Sequence, residues 1–432
     1  MWGMRVDTGK GGKGEAFWRR ADISTHRGIY QREGEAMRLL TTLWCAALVL
    51  GLCGSISATV IHVPDDYPTI QWGIDAAVGG DTVLVADGTY TGSLNRDLDF
   101  GGKAIVVMSE NGPHVTIIDC EGSISEPHRG FYFHSGEGPA SVVRGFIIQG
   151  GWAEYGGGIN CDSSSPTIQG NTIRGNTAGY DGGGIYCGEC SSVIVDNTIT
   201  ENAANTGGGI ACYYNSSPTV MNTILWADDA GTGHEIYLGE ASSMAVSYSD
   251  ISSRWLAVFV APGCTLEWGE GNIETNPKFV LANLQDYRLL WGSPCIDVGH
   301  PDYLDPDGTR SDIGAHFFDQ SKTIVAYATP QTRTLSPGDN CAVLYAMINI
   351  HPEPVEVRGG VELTLPNGEP WSGNPLEGPG YTVFPPEFTW QIVREYTVPE
   401  TWPLGVSVFT WRVGMPGNLY DRDRFLFTVV EP

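Results

Sequence analysis

Tyr186, Tyr213 and Tyr237 recur on the outward-pointing side of a repeated strand motif. A column of such rings could stack sugar rings, apolar face on apolar face. Tyrosine is also favoured on strands for packing reasons alone, so both readings stay open. Asp228-Asp229 followed by Gly233-His234-Glu235 offers two carboxylates and a histidine that could divide acid and base work. Adjacent aspartates on a strand face opposite ways, however, and the register puts this pair where other coils carry Asn and Ala. A solvated polar turn is therefore expected there. Asp302, Asp305, Asp307 and Asp312 space acids before a glycine (DYLDPDGTRSD) as a calcium loop does, but His316 stands where the distal bidentate Glu belongs. Asp-Pro-Asp-Gly is equally a plain turn. Cys187-Gly-Glu-Cys190 has zinc-like spacing beside Cys161 and Cys212. In an oxidising compartment buried thiols or one disulfide are the expected outcome instead. Arg144 and Arg174 with Asp162, Asp181 and Asp196 supply the residue types of a calcium-assisted lyase, yet no spacing singles them out. No catalytic residue is assigned.

The elements that must position these side chains are repeats. Gly-Gly-Gly-Ile occurs three times, ending at Ile159, Ile185 and Ile210, and each copy is followed two residues on by Cys161, Cys187 or Cys212. A decayed fourth copy carries Ile236 and Leu238. Asn-Thr-Ile recurs at Asn171, Asn197 and Asn222, and Ser-Ser pairs begin at Ser164, Ser191 and Ser216. Residues two apart on a strand share a face, and stacked coils set like over like about 4.8 Å apart. The isoleucines and cysteines then form two interior ladders, and the asparagines fit left-handed corners. A coil of about 25 residues holds three short strands and three turns, which makes a parallel solenoid. Tyr67–Gly79 reads as a helical cap with Ile70, Ile74, Ala77 and Val78 inward. The coils are expected to begin near residue 81 and to number about eight.

Ile61–Tyr90 (IHVPDDYPTIQWGIDAAVGGDTVLVADGTY) resembles the opening of the pectin-lyase-like family of right-handed parallel β-helices. The triple-glycine coils resemble the GGA-type repeats of polymorphic outer-membrane proteins. The stretch from Asn276-Pro277 through Ser293-Pro294-Cys295 to Asp312-Ile313-Gly314-Ala315 resembles the closing segment of that group. This resemblance covers roughly residues 59–316 and implies the fold. It assigns no activity, because the superfamily spans lyases, hydrolases, esterases and inert adhesins.

Beyond residue 318 short alternating runs (342–350, 355–365, 406–413, 425–430) separated by turn sequences read as an antiparallel immunoglobulin-like sandwich over 319–432. At the other end, Met37-Arg38, the apolar run Leu39–Leu52 and small residues up to Ala58 have the three parts of an export signal over 37–58. Residues 1–36 read as a mis-called upstream extension or a disordered tail. The fold class expected is all-β: a right-handed parallel β-helix with a short N-terminal helix cap, then a β-sandwich. A formal charge of −26 argues against nucleic acid, and no transmembrane helix is expected in the mature chain. The function expected is a secreted or cell-surface, non-catalytic protein with a polysaccharide or cell-surface glycan as partner. The alternative is a polysaccharide lyase or glycoside hydrolase acting along the outer face. No cofactor is expected beyond calcium at the Asp302–Asp312 run.

Overall fold

The computed structural model describes residues 58–253 and 257–432. The expected upstream extension or tail (1–36) and the expected export signal (37–58) up to Ser57 lie outside them. No helix among the described residues is long and apolar enough to cross a membrane.

The repeat closes into a right-handed parallel β-helix. Ile159, Ile185, Ile210 and Ile236 stand in parallel register, as do Cys161, Cys187, Cys212 and Leu238 two residues on. All eight side chains are fully buried, so both expected ladders form. Phe131 and Phe133 begin them, and Val258 and Val260 follow after the fourth coil. The wall is made of four parallel sheets rather than three. A nine-stranded sheet runs from Val60–Val63 to Thr265–Trp268, a six-stranded one from Phe131–Phe133 to Val258–Val260, and a seven-stranded one from Gly88–Tyr90 to Asp250–Ile251. The fourth joins Trp152–Tyr155, Thr177–Asp181, Ala203–Thr206 and Asp229–Thr232. It uses residues expected as turn, because the stretch before each glycine triplet is extended enough to bond its neighbours. Its register slips at Asp181 and Thr206, which absorbs the 25-residue step between Ile185 and Ile210.

The register returns to the longer step where Val193 pairs with Thr219, and this corrects the asparagine ladder. Asn171 and Asn197 are buried and in register, but the next rung is Thr223, not Asn222. The Asn171 amide donates to Asn197 Oδ1 (2.9 Å), Asn197 to Thr223 Oγ1 (3.3 Å) and Thr223 to Ser249 Oγ (3.2 Å). Asn222 sits one place earlier, in the left-handed corner (φ 48°) that Gly170 and Asp196 occupy in the coils before it. A second polar ladder, not anticipated, runs Asn176–Asn202–Asp228, each side-chain oxygen accepting the backbone amide of the coil before. Interior polar groups thus repeat with partners supplied by the stacking itself.

Cys190 occupies the slot of Ser164 and Ser216, its amide donating to Ser216 Oγ (3.0 Å). The zinc-like spacing arises where a cysteine ladder and a serine ladder pass close together. All eight cysteines among the described residues are free, and seven of them are buried.

The cap is a short helix, Ile70–Ala76, started by Thr69 Oγ1 accepting the Trp72 amide (3.4 Å). Ile70, Ile74 and Ala77 are buried as expected, but Val78 is exposed because the helix has already ended. The first rung is also earlier than residue 81: Val60–Val63 pairs with Thr82–Val85, and the helix lies between these two rungs in sequence.

After the last coil the chain turns back through the antiparallel pair Phe279–Leu281 and Asp286–Leu289. The Asp312–His316 stretch then runs along the seven-stranded sheet, Gly314 donating to Asn222 O (2.8 Å), Ala315 to Thr198 Oγ1 (3.1 Å), and His316 Nε2 sitting 3.0 Å from Thr172 Oγ1. The sandwich packs a three-stranded sheet (Val325–Pro330, Asn340–Asn349, Phe388–Thr397) against a five-stranded one (Thr334–Leu335, Val355–Thr364, Glu377–Phe384, Gly405–Met415, Asn418–Val429). Trp402, Trp411, Phe409 and Phe425 fill its core.

Candidate functional site

The six-stranded sheet presents its outward residues as an aromatic column. Tyr186 and Tyr213 stack at 6.0 Å, Tyr213 and Tyr237 at 5.3 Å, and Tyr237 and Phe259 at 5.2 Å, all with nearly parallel planes. The three tyrosines singled out from the sequence are therefore brought together. Tyr186 and Tyr237 share one strand position, opposite Ala211, and Tyr213 stands one residue past the Cys212 rung. They interleave because the places beside them are small: a Cβ on Gly188 would meet Tyr186 Cε1 at 2.9 Å, and one on Gly239 would meet Tyr237 Cε1 at 2.9 Å. Tyr213 donates to Asp181 Oδ1 (3.1 Å) beside Thr206. Burial pushes the Tyr186 and Tyr213 hydroxyls up, so both remain protonated donors at any ordinary pH.

Stacking of this kind occupies ring faces. Tyr186 is almost wholly covered, and Tyr213 and Tyr237 are half-buried. The open aromatic surface comes from neighbours that the repeat did not single out: Tyr155 (5.2 Å from Tyr186), Tyr180 (5.4 Å from Tyr155) and Tyr214 (6.1 Å from Tyr213). All three are exposed, as is Phe259. Their only sequence signal was a cluster of tyrosines at strand ends, which alternation alone does not place on one face.

Asp228 and Glu235 are not the solvated turn that was expected. They are 6% and 1% exposed and face each other inside the coil, where the carboxyl of one can hydrogen-bond the carboxyl of the other. Burial raises both acids, Glu235 further than Asp228, so they hold protons that solvated carboxyls would lose. Asp229 points the other way, into solvent, and pairs with His234 at 3.2 Å. The opposite-facing geometry holds. The buried pair closes the Asn176–Asn202 ladder and offers no carboxyl to a substrate.

The Asp302–Asp312 run spends its carboxylates on its own backbone. Asp307 accepts Thr309 N (3.0 Å) and Gln320 N (2.8 Å), Asp305 accepts Asp312 N (2.9 Å), and Asp312 accepts Asp297 N and Phe318 N (2.8 and 2.6 Å). Asp302 is exposed. Burial lifts Asp312 to about 8 and Asp305 to about 6. Among the described residues no group of three His, Cys, Asp or Glu side chains is arranged to hold a metal ion. This arrangement lends calcium no support. Arg144, Arg174, Asp162 and Asp181 lie on four different sheets, and Asp196 at a corner, so they form no common site.

These features define the class: a right-handed parallel β-helix followed by an antiparallel sandwich. The family model described as "Right handed beta helix region" matches residues 157–273. No curated protein shows significant similarity to the chain. Among solved structures, the CARDB domain of a Pyrococcus furiosus protein, in complex with di-metal ions, is 10% identical over 25% of this chain and 89% of that one, with a TM-score of 0.21. A Listeria innocua β-glucosidase is 15% identical over 25% of this chain and 16% of its own, at 0.19. A multi-modular cell-surface chitinase of Paenibacillus is 9% identical, covering 86% of this chain and 24% of that one, at 0.17. The chain spans a quarter or less of both enzymes, and at such scores none of the three carries a functional argument.

Proposed function

We propose that the chain is an exported, non-catalytic surface protein that holds a polysaccharide along the aromatic strip of its β-helix, with the sandwich, immunoglobulin-like in our reading, as spacer or anchor. The observation that supports this is the unbroken chain of rings from Tyr180 through Tyr155, Tyr186, Tyr213 and Tyr237 to Phe259, flanked by Tyr214. The central rings lock one another, so the strip is rigid before a ligand arrives, and little side-chain entropy is lost on binding. A saccharide would stack on the exposed Tyr155, Tyr180 and Tyr214 rings. It would also take hydrogen bonds at the strip's hydroxyls and at Asp162 and Asp181.

Affinity electrophoresis of the protein against neutral and acidic polysaccharides, with and without calcium, tests the reading. Retardation by at least one of them is expected, with no reducing-end or unsaturated product. Replacing Tyr155, Tyr180 and Tyr214 together by alanine is expected to weaken that binding about tenfold or more, a loss of about 1.4 kcal/mol. Release of product, or binding indifferent to the triple replacement, would overturn it.

A further inference from the structure

A cavity of about 590 Å³ lies between the outward face of the seven-stranded solenoid sheet and the sandwich. Exposed Thr91, Gln331 and Thr332 stand at its mouth. Four arginines line it, Arg174, Arg288, Arg333 and Arg424, in a chain with only 24 basic residues and a charge of −26. Two of them are already paired. Arg288 holds Asp286 and Asp423 (2.6 and 2.7 Å), and Arg424 holds Asp87.

Arg174 and Arg333 form no ion pair. Arg174 is 5% exposed, donates Nη2 to Gln149 Oε1, and keeps Nε and Nη1 buried without a hydrogen-bond partner. Arg333 reaches only two backbone oxygens, Leu426 O at 3.3 Å and His114 O at 3.5 Å, and lies over the Phe425 ring. Burial, then repulsion from Arg174 and Arg288, pulls Arg333 down to about 10. His114 and His316, also lining the cavity, are held neutral near 3, chiefly by burial. The two free charges are therefore guanidiniums: the unused donors of Arg174 are out of reach of bulk water, and Arg333 is partly covered. A buried unpaired charge is costly unless something neutralises it. The rest of the lining is rich in hydroxyls and amides, among them Thr89, Thr172, Thr334, Gln149 and Gln285.

We infer that this junction cavity binds a small oxyanion, a carboxylate, sulfate or phosphate group carried on a hydroxyl-rich molecule, between Arg174 and Arg333. Planar guanidiniums suit such groups because two parallel N–H donors match two acceptor oxygens. The volume is in the range of sites that take a mono- or disaccharide-sized body. The site lies on a different sheet from the tyrosine strip, so either can fail without the other.

Isothermal titration calorimetry on the full chain, at fixed ionic strength, tests this with sodium sulfate, sodium phosphate, glucuronate, glucose 6-phosphate and glucose. Saturable binding of at least one anion is expected, with glucose silent. The strongest arm tells whether carboxylate, sulfate or phosphate is preferred. Arg174→Gln and Arg333→Gln are each expected to weaken binding at least tenfold, and Arg333→Lys to weaken it less than Arg333→Gln. Arg333 is only partly covered, so its variants supply the decision if Arg174→Gln fails to fold. Absence of saturable binding by every anion, glucose binding as well as the anions do, or affinity unchanged in Arg333→Gln would overturn the inference.

Discussion

Arg288→Met is expected to lower stability by about 3–5 kcal/mol, the usual cost of removing one partner from a buried ion pair. One guanidinium here joins three segments. Its Nε and Nη2 donate to Asp286 on the closing hairpin (2.9 and 2.6 Å), and Nη1 donates to Asp423 on the last sandwich strand (2.7 Å). Its face covers the Tyr327 ring at 4.3 Å. Asp423 Oδ2 also accepts the Ala328 amide (2.7 Å), so the same carboxylate holds two sandwich strands together. Side-chain exposures of 13%, 6% and 7% leave little water to screen the charges once the cation is gone. Urea denaturation followed by tryptophan fluorescence would report the loss, since Trp402 and Trp411 lie in the sandwich core. The sign with pH can be worked out. In the native protein Arg288 helps depress Asp286 far below its ordinary range, so this stability is present above the unfolded value near 4 and is lost as pH falls below it. Without Arg288, burial raises the same carboxyl, and the deficit of the variant should shrink between pH 7.5 and pH 4.5. Adding Asp286→Asn and Asp423→Asn to Arg288→Met should recover part of the loss. A loss under about 1 kcal/mol, or a deficit that grows on acidification, would show that the triad does not hold the junction.

The solenoid was legible because its information is periodic. Ile159, Ile185 and Ile210 recur at a nearly constant step, and a strand alternates faces, so burial of the isoleucines and cysteines followed from counting. Counting failed where the step changed. Asn222 looks like the third asparagine rung, but the residue dropped before Ile210 is made up between Tyr213 and Thr219, which puts Thr223 in that place, and only the backbone pairing reveals it. Asp228 was misread for a related reason: a charged residue in an asparagine slot looks like a surface turn until its partner Glu235 is known to face it. The arginine cavity had no sequence signal at all. Its four arginines come from four separated segments between 174 and 424, and tertiary packing alone brings them together. Within the tyrosine strip the column was readable, whereas the exposed rings that leave room for a ligand were not.

The Asp228–Glu235 pair should make the β-helix less stable as pH rises. Burial lifts Asp228 to about 7 and Glu235 to about 11, against unfolded values near 4, with repulsion between the two adding to Glu235. For a raised pKa, stability is fully present below the unfolded value and is lost as pH climbs through the folded one. The pair therefore contributes most below about pH 4 and loses that contribution progressively up to pH 7 for Asp228 and beyond it for Glu235. Each proton held by the folded chain and not by the unfolded chain costs about 1.4 kcal/mol per pH unit. Asp250, Asp305 and Asp312 are raised as well, so the parent slope alone does not isolate the pair. The informative quantity is the difference from a variant. Asp228→Asn with Glu235→Gln keeps the shapes and removes both titrations. It also continues with a third asparagine the ladder that Asn176 and Asn202 begin, the new side-chain amide oxygen still accepting the Asn202 backbone amide that Asp228 accepts at 2.8 Å. Between pH 6 and pH 8 the parent is expected to lose about 4 kcal/mol more than this double variant, one proton from Glu235 over both units and half of one on average from Asp228. Asp228→Asn alone should give an intermediate slope, because Glu235 still titrates. Denaturation midpoints measured across that range decide it, and parallel curves for parent and double variant would mean that the two carboxyls are ionised in the folded chain after all.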